Sequence, residues 1–237
     1  EETYCYEKGI EDYINSFIGD DAIAAPQMWS ADRQGRDRED LPEYKVRLNI
    51  ACAFSNRVNR MEYYHNSSFL EYGGSPDKAV KSAFVYAFDN YIRKIGKYTK
   101  NEAKITFQDV QDCLVLISNS YSTSTSYENQ TKKAINNKFI YDAMNEFLRH
   151  SLEVYFIEHK PEADKIAEQI LVNKRSRENA EKTRQNLKKK LTVEMDITNR
   201  VEKFVDCRSK DPAVRELYIV EGDSALGSVK FARQAEF

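Results

Sequence analysis

Residues 216–230, ELYIVEGDSALGSVK, run four largely apolar residues, Leu217, Tyr218, Ile219 and Val220, straight into Glu221, Gly222, Asp223 and Ser224. A short apolar run ending in carboxylate, glycine and carboxylate reads as a buried strand that presents charge at the mouth of a sheet, where α/β proteins bind ligands. The glycine permits a tight turn, and the small residues after it let a helix begin at once. A carboxylate so placed can act as a general acid or base, or join other carboxylates in holding Mg²⁺ against a phosphodiester. An ordinary surface turn closing a strand carries the same residue types, and that reading stays open. A phosphate-binding P-loop is excluded: Gly222 and Gly227 have the required separation, but Ser228, Val229 and Lys230 follow where Gly-Lys-Ser/Thr order is needed.

A second charged feature precedes it. Residues 174–190, KRSRENAEKTRQNLKKK, hold eight basic and two acidic residues, a local net of +6, at the end of a helical run. A run so charged is expected to stay out of the core. It is either a solvated face laced with pairs such as Glu178 to Lys182, or a surface that touches nucleic-acid phosphates. The candidates for the latter are Lys174, Arg175, Arg177, Arg184, Lys188, Lys189 and Lys190. No aromatic residue interleaves with them, so base stacking is not implied. His65, His150 and His159 lack metal-ligand spacing and read as structural or surface residues, and the four cysteines form no CxxC pair.

The elements that must position these residues follow from periodicity. In 237 residues, 41% hydrophobic and 31% charged with a net charge of −2, there is room for a real core and no global attraction to nucleic acid. No apolar run approaches the ~20 residues of a helical membrane span, and the acidic N-terminus lacks a signal-peptide layout, so a cytoplasmic location without a membrane partner is expected. TYCYEKGIEDYINSFI reads as a short strand, a turn at Gly9 and a helix. Residues 19–43 read as a mobile loop. KVRLNIACAF alternates strictly and predicts a half-solvated strand, with RMEYYHN as its hairpin-like partner. GGSPDKAVKSAFVYAFDNYIRKIGK predicts a helix capped by Ser75, with Pro76 at its first position and Gly96 as its stop. Thr106 and Asp109 form a capping box before CLVLIS, a central strand. After a polar loop over 119–132, helices are expected from Lys133 to Pro161 and from Pro161 to about Leu191, then an irregular connector. The pattern is a mixed α+β domain, a helical arm, a linker and the first strand-loop-helix of another domain.

RELYIVEGDSALGSVKFAR resembles the opening of the TOPRIM domain in the B subunits of bacterial type IIA topoisomerases, those of DNA gyrase and topoisomerase IV. YGGSPDKAVKSAF is similar to the glycine-pair entry to the long helix of that family's transducer domain. Gln130-Thr131-Lys132 matches its QTK loop, which reaches into the ATP site of a preceding ATPase domain. A lysine there is a point charge suited to a γ-phosphate, and a glutamine adds amide hydrogen bonding. The likeness covers nearly the whole chain, with Leu226 and the Ser/Thr/Tyr-rich loop before Gln130 as departures.

The resemblance implies a transducer domain of the ribosomal protein S5 domain 2 type over residues 1–158, a mostly four-stranded sheet backed by helices on one face. It implies a long helical arm over 159–191, a linker over 192–214, and the start of a TOPRIM domain over 215–237. By the same resemblance, Glu221 is a catalytic acid/base beside Mg²⁺, whose other ligands are an Asp-x-Asp pair expected after Phe237. ATP is bound with help from Gln130 and Lys132. DNA, an A-type subunit carrying the strand-transfer tyrosine, and a second B subunit are the implied partners. The chain alone is then expected to be inactive, and none of its tyrosines to be catalytic. A non-enzymatic nucleic-acid-binding module with an S5-like fold is the competing expectation.

Overall fold

The structure, a computed structural model, describes residues 5–200 and 203–237, with backbone alone over 192–200. Two compact units divide the chain, residues 1–180 and 181–237.

The first unit is built on a five-stranded sheet in the order β1 (Gln27–Gly35), β2 (Tyr44–Phe54), β6 (Leu114–Ser122), β3 (Arg60–His65), β4 (Ser68–Phe69). β2 shows why alternation gave only half the answer. Val46, Leu48, Ile50, Cys52 and Phe54 are buried on one face as expected, and Lys45 and Arg47 are exposed on the other. Beyond Asn49 both faces close, because α1 (Ile10–Ile18) lays Ile14 and Ile18 on Ala51, Ala53, Val115 and Ile117. The opposite face packs on α2 (Ser75–Lys94), α4 (Lys138–Glu158) and the first turns of α5 (Lys160–Arg200), burying the Phe84, Phe88, Leu148, Phe156 and Ile166 side chains. Helices therefore lie on both faces of the sheet, not one.

Several expectations change. Residues 27–35, placed in a mobile loop, form β1, which pairs antiparallel with β2 from Gln27 opposite Cys52 to Gly35 opposite Tyr44. Its mixed residue types hid the period: Trp29 and Ala31 face the core while Asp32 and Gln34 face water. β3 is not the hairpin partner of β2. β6 lies between them, antiparallel to β2 and parallel to β3. A parallel neighbour needs a crossover, and α2 with α3 (Phe107–Gln111) supplies it. Cys5 and Tyr6 carry no strand, and the rest of that short expected strand lies outside the described residues.

At the helix ends the sequence cues hold with small shifts. Gly74, not Ser75, is the N-cap of α2, and Pro76 sits in its first turn. Gly73–Gly74 forms β5 beside β7 (Ala134–Ile135), and a Cβ on Gly74, whose φ is 78°, would collide with the Ile135 carbonyl oxygen. Only glycine fits there. The Thr106–Asp109 capping box forms as expected. α4 starts at Lys138 because residues 134–135 are drawn into β7, and α5 continues to Arg200 through part of the expected connector.

In the second unit, residues 216–220 form no strand: Leu217 is 76% and Ile219 86% exposed. A strand needs a ladder partner, and among the described residues none pairs with this segment. The helix expected after Glu221 is present as α6 (Asp223–Ala232), entered through Gly222 at φ 85°. Among the described residues, no helix is long and apolar enough to cross a membrane.

Candidate functional site

Three expected sites can be built from their residues upward. The lysine loop leaves the end of β6 and closes as a hairpin: Glu128 N–H donates to the Ala134 carbonyl at 3.0 Å and Asn136 N–H to the Ser126 carbonyl at 2.9 Å. The tip is organised by Asn129, whose Oδ1 accepts from Thr131 N–H at 3.2 Å while its carbonyl accepts from Lys132 N–H at 3.3 Å. Such an Asx turn holds a bend without help from the core. Gln130, Thr131 and Lys132 are all exposed. Lys132 has a φ of 58°, and its Nζ lies 5.6 Å from the centre of the Tyr127 ring. The loop thus presents an ammonium and an amide to solvent on a short, tied stalk, suited to meeting an anionic group from outside this body.

Where the loop leaves the sheet, a histidine holds it. His65 ends β3 and is buried, with Nδ1 2.8 Å from Ser120 Oγ and Nε2 2.9 Å from Thr125 Oγ1. Asn66 adds a bond from its Nδ2 to the Ser122 carbonyl and takes one from Ser122 N–H, both 3.0 Å. Sequence reasoning left His65 without a role. The parallel pairing of β3 with β6, invisible in the sequence, gives it one.

The basic run divides into two parts. Lys174, offered as a phosphate contact, is wholly buried: its Nζ lies 3.0 Å from Glu102 Oε1 and 3.3 Å from Glu178 Oε1. Arg175 grips the same Glu102 with a two-pronged fork at 3.1 and 3.0 Å, and Arg177 grips Asp109 at 2.6 and 3.1 Å. The expectation that this run stays out of the core fails for Lys174. A cation enters the interior when a buried carboxylate meets it, and Glu102 carries no local signal of doing so. The Arg175 fork is the main reason the Glu102 carboxyl is held far below its usual range, against the opposing effect of burial. Burial raises the Asp109 carboxyl, but the Arg177 fork and the Thr106 cap outweigh it and leave it lowered. Lys182, Arg184, Lys188, Lys189 and Lys190 are exposed, and Arg184 pairs with Glu181 at 3.7 Å.

In the second unit, Glu221 is exposed, and Asp223 forms an ion pair with Lys203. Among the described residues, no group of three or more His, Cys, Asp or Glu could hold a metal. Glu221 and Asp223 can supply at most part of a Mg²⁺ site. The four cysteines are free thiols, Cys52 and Cys113 buried, and burial pushes the Cys113 thiol up to about 12.

Two outcomes follow. Burial lowers the His65 ring from 6.5 to about 4. The unfolded chain takes up this proton near 6.5 and the folded one only near 4, so the stability tied to the neutral ring is full above pH 6.5 and lost as pH falls towards 4. Urea denaturation should show wild type losing roughly 2–3 kcal/mol relative to His65→Gln between pH 7 and pH 4; a difference that stays flat with pH would refute this. Replacing Glu102 and Glu178 together with alanine strands the buried Lys174 ammonium and should cost about 3–5 kcal/mol in the same assay. A cost near zero would mean that Lys174 finds water.

A family model described as DNA gyrase B matches residues 9–186. The DNA gyrase B protein of Metamycoplasma arthritidis is 32% identical over 233 residues, which is 98% of this chain and 36% of that protein. The chain thus spans about a third of the length of the curated relatives it matches. Among solved structures, the 43K ATPase domain of Thermus thermophilus gyrase B in complex with an aminocoumarin superposes with a TM-score of 0.61 at 18% identity, over 78% of this chain and 48% of that one. The topoisomerase IV ATP-binding domain of Francisella tularensis in complex with a small-molecule inhibitor gives 0.59 at 20%, over 74% and 45%. At those identities the two structures speak for a shared α+β fold alone. With the family model matched from the first helix to the far side of the buried lysine clamp, the chain belongs to the DNA gyrase B family.

Proposed function

We propose that this chain is the force-transmitting middle of the B subunit of an ATP-dependent type II DNA topoisomerase. The observation that carries the reading is the lysine loop: an exposed ammonium on a stalk tied to the end of the central strand, in a chain of the gyrase B family. Lys132 and Gln130 meet the γ-phosphate of ATP bound by an adjoining ATPase domain, where a lysine supplies a point charge and an amide adds direction. Its structural neighbours being named as ATPase or ATP-binding domains supports this. The body of the first unit is then an S5-like transducer. A pull on Lys132 passes through β6 to the packed helices as a rigid-body shift.

The second unit is read as the start of a TOPRIM domain, with Glu221 as the acid/base that shares Mg²⁺ with aspartates supplied later in the subunit. The site's donor set is compatible with Mg²⁺, a hard cation that prefers carboxylate oxygens, but needs carboxylates beyond Glu221 and Asp223. Bound there, the ion would neutralise phosphodiester charge. Arg184, Lys188, Lys189 and Lys190 are the cations proposed to face DNA, whereas Lys174, Arg175 and Arg177 are committed to carboxylates. That commitment weighs equally on this reading and on the competing one, a stand-alone nucleic-acid binder. An A-type subunit with the strand-transfer tyrosine, a second B subunit and a cytoplasmic location complete the proposal.

Lys132→Ala in the full-length subunit should depress ATP turnover at least roughly tenfold without changing the thermal melting of the fold; undiminished turnover would take the loop out of the mechanism. The chain by itself should neither hydrolyse ATP nor supercoil DNA when supplied with an A-type subunit, as measured by phosphate release and gel mobility.

A further inference from the structure

Asn137 precedes α4, where an asparagine ordinarily caps its own helix. It does not do so here: its side chain makes no cap bond to α4. The side chain is only 2% exposed and is spent on three other groups. Its Oδ1 accepts from Ser126 N–H at 2.7 Å, and its Nδ2 donates to Asp37 Oδ2 at 2.9 Å and to the Tyr44 hydroxyl oxygen at 3.1 Å. The capping is delegated to Asp37, 102 residues upstream, whose Oδ1 accepts from Phe139 N–H in the first turn of α4 at 2.8 Å and from the Tyr44 hydroxyl at 2.9 Å. A carboxylate at a helix N-terminus is favourably placed, and it leaves the asparagine amide free to face the loop.

The consequence is geometric. Ser126 and Asn137 bracket the hairpin that carries Gln130 and Lys132, so one buried amide joins both of its ends and ties them to the link between β1 and β2. The bonds at the tip are local to it, through Asn129, and its flanks are tied to the body by the Lys78–Glu128 and Lys133–Glu71 ion pairs and by Tyr72 N–H donating to the Lys133 carbonyl. The direction of the tip therefore depends on how its base is held. We infer that Asp37 and Asn137 are positioning residues for the lysine loop, a pair that aims Lys132 at the phosphate it receives. This rests on the nucleotide reading of the loop given above.

The pair is asymmetric in a way that permits a swap. Asn137→Asp alone sets two carboxylates face to face, and Asp37→Asn alone sets two amide groups face to face. In the double variant, the amide introduced at position 37 donates to the carboxylate introduced at position 137, which still accepts from Ser126 N–H. The test uses the full-length subunit and reads two quantities: hydrogen exchange of the 126–136 amides, and KM and kcat for ATP. Each single variant should speed loop exchange while β2 and α2 keep their protection, and should raise KM about fivefold or more with a smaller effect on kcat. The swap should return both towards wild type. Tyr44→Phe, which keeps the ring on Phe139 at 5.4 Å between centroids and removes only the hydroxyl, gives a milder variant in the same direction should a single charge change prevent folding. Unchanged loop exchange in the single variants overturns the inference, as does a loosened loop with unaltered KM or a swap that restores nothing. Undiminished turnover in Lys132→Ala defeats the nucleotide reading instead, and the exchange data then decide by themselves whether the pair holds the loop.

Discussion

The burial of β6 on both faces is the constraint from which the first unit is built. Leu114, Leu116 and the other apolar residues of its first half are inaccessible to water, so each face of the strand requires its own cover. α1 supplies one and α2 with α4 the other. Every backbone group of such a strand must also find a ladder partner, since water cannot reach it. β2 satisfies one edge antiparallel and β3 the other in parallel. The parallel choice places the ends of β3 and β6 together, and it brings His65 alongside the start of the lysine loop. The loop is thus attached to a strand that β2 and β3 hold on both edges.

The buried charges around Lys174 show a second kind of constraint. Taking an ammonium and a carboxylate out of water is expensive, and their attraction offsets that cost only when the geometry is close and further donors are satisfied. Here Glu102 also accepts from the Thr99 backbone and hydroxyl at 2.7 and 2.9 Å, besides the Lys174 and Arg175 contacts. Asp109 serves the Thr106 cap and Arg177 together. These bonds fix the rotation of α5 about its own axis against the body more tightly than the apolar side chains Ile166, Ile170 and Leu171 do alone, because dispersion contacts are not directional and forked ion pairs are.

The residues that the sequence flagged, it flagged through local signals. The QTK string, the EGDSA string and the glycine pair before α2 can each be read within a dozen residues, and at the glycine pair the backbone does something that other side chains do not allow. Gly74 is the clearest, since the Ile135 backbone passes too close for any Cβ. His65, Asp37 and Asn137 were not legible. Each has a partner 55 to 102 residues away that nothing in the neighbouring sequence announces.

By itself the sequence determined the amphipathic faces of α2 and α4, the alternation of the first half of β2 and the Thr106–Asp109 cap, all consequences of spacing within one element, while its motifs carried the family likeness. Only the tertiary structure decided that β6 would separate β2 from β3, that residues 27–35 would become β1, that Lys174 would be buried, and that residues 216–220 would find no ladder partner among the described residues. The physical reason is the same in each case. Periodicity records which face of an element is apolar, whereas strand pairing, and the burial of a charge, depend on a partner that the chain brings into contact only when the whole core closes.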